Sequence, residues 1–493
     1  MLRQMADDRA QTGIVGLDLI LNGGLPRGRV YLVEGDPGVG KTTVALQYLL
    51  SGAAQGERGL YITLSETQEE VRQIASSHGW SIDGLALFEL SALEQQLRIE
   101  SQNTIFRPSD VELTETTRAI LSAVEEIRPD RVVFDSLSEL RLLAQSPLRY
   151  RREVLNLKQY FSGKRSTVLL LDDRTSEPGD MQLQSLAHGV ISMQQLAPEY
   201  GGDRRRVRVA KLRGTPHVGG YHDFVIRRGG VQVFPRLTAA DHHAPYERTA
   251  VSSGVTALDA MLGGGLARGT STLMVGPAGT GKSILASLYA TAAARRGERG
   301  VILGFDELRR TTIERADVLG MGMSELVAAD RIRIQQVDPA ELSPGELAHI
   351  LREEVESRGA SLLVIDSLNG YLQAMPAEKH LYIQLHELLT YFGQRGVTTV
   401  MLVAQHGING LGAPAEVSYI ADCVLLLRYF ESGGRVHKAI SVIKKRTGVH
   451  EDTIRELLVD SRGVSVGEPL VDFRGVLTNA PEFHGDRARL DER

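Results

Sequence analysis

Short apolar runs alternate along the chain with longer segments in which apolar residues recur every three to four positions. Residues 30–34 and 271–275 are apolar runs that lead into glycine, and each precedes a segment of helical composition, residues 41–51 and 282–294. The first pattern predicts buried strands and the second predicts helices. Strand–helix–strand order with very apolar strands predicts an α/β fold with a mostly parallel sheet covered by helices on both faces.

The same order continues further along the chain. Residues 117–127 have helical spacing and lead to an apolar run at 131–134, and residues 347–355 lead likewise to 362–365. Three later strands are predicted to be added to the sheets as hairpins, at residues 207–210, 421–427 and 439–443.

One long internal repeat sets the domain organisation. Residues 12–50 match residues 253–290, with Lys41 and Lys282 separated by 241 positions and Glu66 and Glu307 by the same distance. The separation falls to 231 at Asp135 and Asp366, so the first copy carries about ten extra residues, placed within residues 90–110. A period this long predicts two tandem domains rather than a solenoid.

The predicted domains are residues 1–240 and 241–474, followed by a short polar tail at 475–493 that is expected to be partly mobile. A polar segment at residues 237–248 is typical of a linker. Its two histidines, His242 and His243, have no third ligand nearby, so they are interpreted as linker residues rather than a metal site.

Two P-loop motifs carry the strongest chemical signal. Both fit G-x-x-x-x-G-K-[ST], follow a predicted strand and open a predicted helix. Glycines let successive backbone N–H groups converge on phosphate oxygens, and the helix N-terminus adds partial positive charge. ATP and Mg²⁺ are therefore the predicted cofactors, with the phosphate cradle formed by Gly35, Asp36, Pro37, Gly38, Val39, Gly40, Lys41, Thr42 and Thr43, and by Gly276, Pro277, Ala278, Gly279, Thr280, Gly281, Lys282, Ser283 and Ile284.

Individual roles follow from residue type. Lys41 and Lys282 are predicted to reach the β- and γ-phosphates, and the hydroxyls of Thr42 and Ser283 to hold Mg²⁺. Asp135 and Asp366 each end an apolar strand, where a carboxylate can organise Mg²⁺ through water. The alternative for these aspartates is the capping of a turn, which Asp-Ser sequences favour.

Acidic residues also end the strand after each P-loop helix, at Ser65-Glu66 and Asp306-Glu307. Parallel strands deliver their carboxyl ends to the ligand crevice, so Glu66 and Glu307 are predicted to orient or deprotonate the attacking water. The alternative is an acidic beginning of a helix.

Composition narrows the class of protein. Apolar residues make up 42% of the 493 residues, and 56 basic against 61 acidic side chains give a net charge of −5. This balance does not suggest a general nucleic-acid binder. A single cysteine, Cys423, favours a reducing compartment, and Asp7 and Asp8 stand where a secretory signal would turn apolar. With no apolar run near the ~20 residues that span a bilayer, the chain is predicted to be cytoplasmic and not a membrane protein.

The tandem arrangement resembles the KaiC family, whose domains are RecA-like P-loop NTPases. The resemblance rests on both P-loops, the lead-in at residues 253–269, the segments 417–430 and 439–446, and the KLRGT and KKR sequences at 211–215 and 444–446. It extends over roughly residues 12–473.

The resemblance implies a double-ring homohexamer with ATP bound between subunits. Lys211 and Arg213 would then contact the nucleotide of the adjacent first domain, and Lys444 and Arg446 that of the adjacent second domain. The alternative for these four residues is a solvated basic strand. In the family the first ring mainly hydrolyses ATP, and the second phosphorylates its own adjacent Ser–Thr pair. Ser418 and Tyr419 occupy those positions here. Ser418 is the predicted phosphoacceptor and Tyr419 a weaker one, the alternative being a serine that merely begins a strand.

Two departures from the family pattern matter. The family commonly has two adjacent glutamates at the base position. The second site keeps two acids, Asp306 and Glu307. The first site keeps only Glu66, which leaves the rate of ATP hydrolysis there open. The tail after Phe473 is shorter than that of the cyanobacterial clock protein, so control by KaiA is not expected. A KaiB-like protein or a sensor histidine kinase is the partner suggested by the resemblance.

Three functional hypotheses remain. The main one is a hexameric ATPase and serine autokinase that acts in signalling or timing. The second is a DNA-dependent recombination ATPase, which is supported only by two basic clusters, at residues 149–152 and 204–206. The third is a nucleotide-gated scaffold without kinase activity.

Overall fold

A computed structural model describes residues 8–90, 108–173, 182–198, 201–239, 243–338, 340–373, 381–405, 415–477 and 481–484. Most of the predicted insertion at 90–110 and His242 lie outside the described residues. The pattern of contacts between Cα atoms divides the chain into two compact units. The boundary between them in the sequence lies between Arg236 and Leu237, at the start of the predicted linker.

The first unit alternates strands with helices. Its strands are β1 (Arg9–Ala10), β2 (Leu25–Pro26), β3 (Val30–Glu34), β4 (Gly59–Thr63), β5 (Ala86–Glu89), β6 (Arg131–Asp135), β7 (Thr167–Asp172), β8 (Gly189–Leu196), β9 (Arg204–Leu212), β10 (His222–Arg227) and β11 (Gly230–Phe234). Its helices are α1 (Val15–Ile20), α2 (Lys41–Ala53), α3 (Gln68–Ser77), α4 (Pro108–Ile127), α5 (Leu137–Ala144), α6 (Pro147–Ser162) and α7 (Gln182–Leu186).

The second unit repeats this plan. Its strands are β12 (Ala250–Val251), β13 (Leu266–Ala267), β14 (Ser271–Gly276), β15 (Arg299–Gly304), β16 (Ile332–Gln336), β17 (Ala360–Asp366), β18 (Thr398–Ala404), β19 (Cys423–Ser432), β20 (Arg435–Lys445), β21 (Ile454–Asp460), β22 (Gly463–Pro469), β23 (Phe473–Arg474) and β24 (Glu482–Phe483). Its helices are α8 (Thr256–Met261), α9 (Lys282–Arg295), α10 (Arg309–Val318), α11 (Met323–Ala328), α12 (Pro344–Glu356), α13 (Leu368–Gln373), α14 (Leu381–Gln394) and α15 (Ala415–Ile420).

Each unit contains a nine-stranded sheet of mostly parallel strands. The strand orders are β11-β10-β9-β8-β3-β7-β6-β4-β5 and β16-β15-β17-β18-β14-β19-β20-β21-β22. The strands around β3 and β14 are parallel, and the three strands beyond β8 and beyond β19 are antiparallel. The predicted α/β class is confirmed. The strands predicted at 207–210 and 439–443 are antiparallel additions, whereas the one predicted at 421–427 belongs to β19, which pairs in parallel with β14 and forms a hairpin with β20. In both sheets the P-loop strand lies inside the sheet, next to the strand that leads into the hairpins.

Alternation of side chains explains why the central strands are apolar throughout. In β3, Tyr31 and Val33 belong to the core on one face of the sheet, whereas Val30 and Leu32 belong to the core on the other face. β14 divides in the same way between two cores. A strand covered on both faces buries every residue, so its hydrophobic run is continuous.

Local capping fixes where several helices begin. The Thr67 hydroxyl accepts a hydrogen bond from the Glu70 backbone N–H, and the Glu70 carboxylate accepts one from the Thr67 backbone N–H, so the two residues form a capping box at the start of α3. Ser343 caps α12, whose first residue is Pro344. The beginnings of α2 and α9 are different, because each follows a glycine of the P-loop.

Part of the predicted mobile tail is described. Phe473 of β23 packs against Phe430 of β19 and against Phe483 of β24, with ring centroids 5.1 and 5.3 Å apart. In the part of the chain that the structure describes, no helix is long and apolar enough to cross a membrane.

Candidate nucleotide-binding sites

Both P-loops turn sharply between the central strand and the following helix. Gly38 and Gly279 have φ of 80°, and Gly40 and Gly281, which immediately precede α2 and α9, have φ of 107° and 106°. These values lie in the left-handed region, where a side chain would strain the backbone. Glycine is therefore required at these four positions, and the loops leave the helix N-termini facing the phosphate cradle.

The P-loop lysines are buried inside the turns. Lys41 Nζ donates to the carbonyls of Gly35 and Asp36 at 2.6 and 2.9 Å, and Lys282 Nζ donates to those of Gly276 and Pro277, both at 2.7 Å. Burial lowers the pKa of Lys282 to about 8. Phosphate oxygens would supply the negative charge that a buried ammonium needs, so the surroundings of Lys282 fit a nucleotide.

In the first unit an acid already pairs with the P-loop lysine. Asp173 Oδ1 lies 2.8 Å from Lys41 Nζ, and Oδ2 accepts hydrogen bonds from Ser138 at 2.7 Å and from Ser136 at 3.1 Å. Partial burial raises the pKa of Asp173, but these bonds, led by that from Lys41, hold it below its usual value. Ala404 occupies the equivalent place in the second unit, since β7 and β18 pair with β3 and β14 in the same register.

The predicted metal residues lie together in both units. Thr42 Oγ1 donates to Asp135 Oδ2 at 2.7 Å, and the Ser283 side chain makes the corresponding hydrogen bond to Asp366. Burial raises the pKa of both carboxyls. A hydroxyl beside a carboxylate is an oxygen donor set that suits Mg²⁺, and a dication would offset the cost of burying the charge.

Tyr61 adds a contact to the candidate metal residues of the first unit. Its hydroxyl donates to Asp135 Oδ2 at 2.5 Å, and burial raises the pKa of the phenol well above its usual value. The repeat places Ile302 at the same position in the second unit. In both units the peptide bond that follows the aspartate is cis, at Asp135–Ser136 and at Asp366–Ser367.

The candidate base of the first unit has few partners. Glu66 Oε2 is buried and has no hydrogen-bond partner among the described residues. Burial raises the pKa of this carboxyl, and the negative charges of Asp135, Glu70 and Asp173 raise it further. A carboxylate that is poorly solvated and unpaired is a stronger base than one in water, which suits it for taking a proton.

The candidate acids of the second unit are held by neighbours instead. Glu307 Oε1 lies 2.5 Å from Arg315 Nη1, and Oε2 accepts a hydrogen bond from Thr312 at 3.1 Å. Asp306 Oδ2 accepts one from Ser367 at 2.5 Å. The two sites therefore differ in how freely their acid can act, and the difference runs opposite to the count of acids in the sequence.

The candidate trans-acting cations bind the ends of two short helices. Lys211 Nζ donates to the Gln184 carbonyl at 2.6 Å and Arg213 Nη2 to the Ser185 carbonyl at 2.9 Å, at α7. The second unit repeats this arrangement at α15: Lys444 Nζ donates to the Ser418 carbonyl at 2.9 Å, and Arg446 Nη2 to the Tyr419 carbonyl at 2.8 Å. By this correspondence Ser418 is equivalent to Gln184.

Strand direction separates these cations from the P-loop of the same unit. The start of β14 meets the end of α15, where Ser271 Oγ donates to the Ile420 carbonyl at 3.3 Å, while the P-loop leaves the other end of β14 at Gly276. Six residues at about 3.3 Å each place these two edges of the sheet roughly 17–20 Å apart. Ser418 and Arg446 thus lie at the edge opposite to Lys282.

Several of these features had no motif to reveal them. Asp173 and Tyr61 are adjacent to or inside apolar strands, and the only signal was their place near the carboxyl end of a strand. Arg315 lies in a polar helical segment without any distinguishing pattern. The structure brings the predicted P-loop, metal and acidic residues of each unit together, but it does not bring the candidate trans-acting cations to them.

Two P-loops, each with a strand-end aspartate beside the P-loop hydroxyl on a mostly parallel sheet, define a tandem P-loop ATPase. A family model described as "ATPase: KaiC" matches residues 10–238 and 251–471. The chain belongs to this family of KaiC ATPase domains, and the resemblance seen in the sequence is confirmed. ATP binding and ATPase activity follow at the level of the family.

Relatives cover nearly the full length of the chain. The circadian clock oscillator protein KaiC of Thermostichus vulcanus is 28% identical over 501 residues, which span 98% of this chain and 92% of the relative. The proteins of the same name from Synechococcus elongatus and from Nostoc sp. are each 27% identical, over 98% and 99% of this chain and 93% of each relative.

The ion pair between Lys41 and Asp173 leads to a prediction for nucleotide affinity. Asp173→Asn removes a negative charge that faces the phosphate site and a competitor for Lys41. In a full-length Lys282→Ala background, which silences the second P-loop, we expect ATP to bind the first site about two- to ten-fold more tightly, by titration calorimetry. The matched control is Asp203→Asn, a surface acid that contacts Gln195. Unchanged or weaker binding by Asp173→Asn would show that the pair does not compete with ATP.

Proposed function

We propose that this chain forms a homohexameric double ring that binds Mg²⁺-ATP, hydrolyses it in the first domain and phosphorylates Ser418 in the second. Each nucleotide would lie between the P-loop of one subunit and the basic pair of the next: Lys211 and Arg213 in one ring, Lys444 and Arg446 in the other. The phosphorylated state would serve as a signal in the cytoplasm. A KaiB-like protein or a sensor histidine kinase is the kind of partner we propose to receive it.

The observation that carries this proposal is the position of the basic pairs on the sheet. Arg446 and Ser418 lie at the edge where β14 begins, and Lys282 lies at the edge where it ends. A phosphoryl group bound by Lys282 is too far away for Ser418 of the same chain. In a ring of identical subunits packed head to tail, the starting edge of one sheet faces the P-loop edge of the next, so a heterologous interface completes every site.

The proposed hydrolysis in the first domain uses a short list of groups. Lys41 and the backbone N–H groups of the P-loop would hold the triphosphate, and Mg²⁺ bound at Thr42 and Asp135 would neutralise its charge. Glu66 would accept a proton from the attacking water. The water oxygen would bond to the γ-phosphorus while the bond between the γ-phosphorus and the ADP oxygen breaks. The raised pKa of Glu66 supports this role.

The proposed phosphotransfer in the second domain replaces water by a side chain. The Ser418 hydroxyl oxygen would bond to the γ-phosphorus, its proton would pass to Glu307 or Asp306 across the interface, and ADP would leave. Lys444 binds the Ser418 carbonyl, which fixes the backbone that carries the hydroxyl. The first domain has Gln184 at this position, which has no hydroxyl, so the chemistry of the two rings would differ.

A scaffold role has one observation in its favour. Glu307, the candidate base of the second site, is engaged by Arg315 and Thr312. Both carboxylate oxygens of this acid are already engaged, so slow turnover at this site would favour nucleotide-gated partner binding over rapid catalysis.

Phosphopeptide mass spectrometry tests the kinase assignment. Full-length protein incubated with Mg²⁺-ATP is expected to carry phosphate on Ser418 and to lose it in Ser418→Ala. Tyr419→Phe is the matched control and is expected to keep it, because the tyrosine oxygen lies several ångströms further from the backbone. Lys282→Ala should also abolish it. Phosphate on Tyr419 alone would contradict the assignment of Ser418 as the acceptor. No phosphate while ATP is consumed would contradict the kinase activity and leave the scaffold.

Mixed assemblies test whether sites are shared. Lys282→Ala and Arg446→Ala subunits should each be nearly inactive in Ser418 phosphorylation, but a mixture should recover activity because some interfaces join an intact P-loop to an intact Arg446. The control mixes Lys282→Ala with the double variant Lys282→Ala/Arg446→Ala, so that no subunit in the mixture has an intact second P-loop. No recovery at any mixing ratio would count against a site built from two subunits.

The pKa of Glu66 predicts a pH dependence. A general base acts only when ionised, so first-site hydrolysis in Lys282→Ala protein should fall as the pH drops through the pKa of Glu66, which burial raises above its ordinary value of 4.5. Initial rates between pH 5 and pH 8 should show this acidic limb. Glu66→Gln should lower the rate about 10²- to 10⁴-fold at the upper end of this pH range, where Glu66 is ionised, and should remove the acidic limb. A rate that survives this substitution would exclude Glu66 as the base.

A further inference from the structure

Arg315 occupies an unusual position beside the second P-loop. It belongs to α10, and its side chain lines a cavity of about 170 Å³ with Gly279, Gly281, Lys282, Ser283 and Ile284. All the other lining residues belong to the P-loop or to the first turn of α9. A cavity bounded by phosphate-binding backbone and by a guanidinium is suited to an anion.

The guanidinium is only partly satisfied by the protein. Nη1 binds Glu307 Oε1 at 2.5 Å, but Nε and Nη2 are buried and have no hydrogen-bond partner among the described residues. Leaving two buried donors of a charged group unpaired is costly, and buried polar groups in proteins almost always have partners. An oxyanion in the cavity would provide the missing acceptors.

The charges around Arg315 indicate which phosphate it would meet. Arg315 lies close enough to Asp366, the candidate metal carboxylate, for their opposite charges to interact. Its other neighbour is Glu307, the candidate base. In phosphoryl transfer the metal ion bridges the β- and γ-phosphates, and the base faces the γ-phosphate from the far side. A guanidinium between these two groups is therefore closest to the γ-phosphate.

The first domain carries no arginine at the equivalent position. The gapless spacing of 241 places Ile74 at the position of Arg315 and Val71 at that of Thr312. Ile74 packs against the apolar core, and Glu66 Oε2 has no hydrogen-bond partner in the part of the chain that the structure describes. The second site thus has both Arg315 and its ion pair with Glu307. At the equivalent positions of the first site there is no arginine, and Glu66 has no such ion pair with any described residue.

We propose that Arg315 binds the γ-phosphate of ATP in the second site, within its own subunit, and positions Glu307 through the ion pair. The second site would then distinguish ATP from ADP by a contact that the first site does not have. Arg315 would also act from the P-loop side of the nucleotide, opposite to the basic pair that the neighbouring subunit contributes. This inference rests on the proposed function, because it assumes that ATP occupies the second P-loop.

Nucleotide affinity measures this contact directly. In full-length Lys41→Ala protein, which leaves only the second P-loop intact, the binding of a fluorescent non-hydrolysable ATP analogue and of fluorescent ADP is compared before and after Arg315→Met. We expect the variant to lose on the order of 10- to 100-fold in affinity for the ATP analogue and less than about two-fold for ADP. Arg315→Lys, which keeps the charge but not the fork of donors, should recover part of the loss and serves as the test if the Met variant does not fold.

Arg310→Met is the matched control. Arg310 lies on the same helix, is exposed and pairs with Glu314, so its removal deletes the same charge from the outer surface and should leave both affinities unchanged. Equal losses for the two nucleotides in the Arg315 variants, or no loss, would overturn the inference and leave the ion pair a structural contact of α10. Failure of the Lys41→Ala parent to bind either nucleotide would instead overturn the proposed function, and the inference with it.

Discussion

The direction of the strands is the constraint on which both nucleotide sites depend. Parallel strands place all their carboxyl ends at one edge of a sheet, so the P-loop after β3, Asp135 at the end of β6 and Asp173 after β7 meet there without any requirement on the loops between them. The antiparallel strands β9 and β20 return the chain, and their basic residues bind helices at the opposite edge. One rule of strand geometry therefore gathers the P-loop and its acidic residues at one edge and keeps these basic residues at the other.

That separation gives a physical reason for assembly. The cations at the starting edge are held by backbone carbonyls at the ends of α7 and α15, in the same way in both domains. In the proposed assembly, this repeated arrangement would serve the P-loop of a neighbouring subunit. In the proposed ring both edges of the sheet are used at once, because each subunit places its P-loop edge against one neighbour and its starting edge against the other.

The two sites share a scaffold but differ in electrostatics. The first has a lysine paired with Asp173, a phenol on its metal carboxylate and an acid whose pKa is raised by burial. The second has no acid at the place of Asp173, since Ala404 stands there, and its acid is tied to Arg315. A buried, unpaired carboxylate favours proton abstraction, whereas an ion-paired one restrains it. Counting acids in the sequence suggested that the second site is the better equipped for base chemistry, but the surroundings of the acids support the first.

The sequence by itself determined the fold class, the duplication, both P-loops and the family, because each depends on local spacing or on a repeat that survives in order along the chain. Three contacts became visible only in the tertiary structure: Asp173 with Lys41, Tyr61 with Asp135, and Arg315 with Glu307. Of these residues, Tyr61 lies inside an apolar strand, Asp173 directly after one and Arg315 in an ordinary polar helix, and no motif marks any of the three. The pairing of strands decides which side chains converge at an edge, and burial decides how each charge behaves there, so neither can be read from neighbours in sequence.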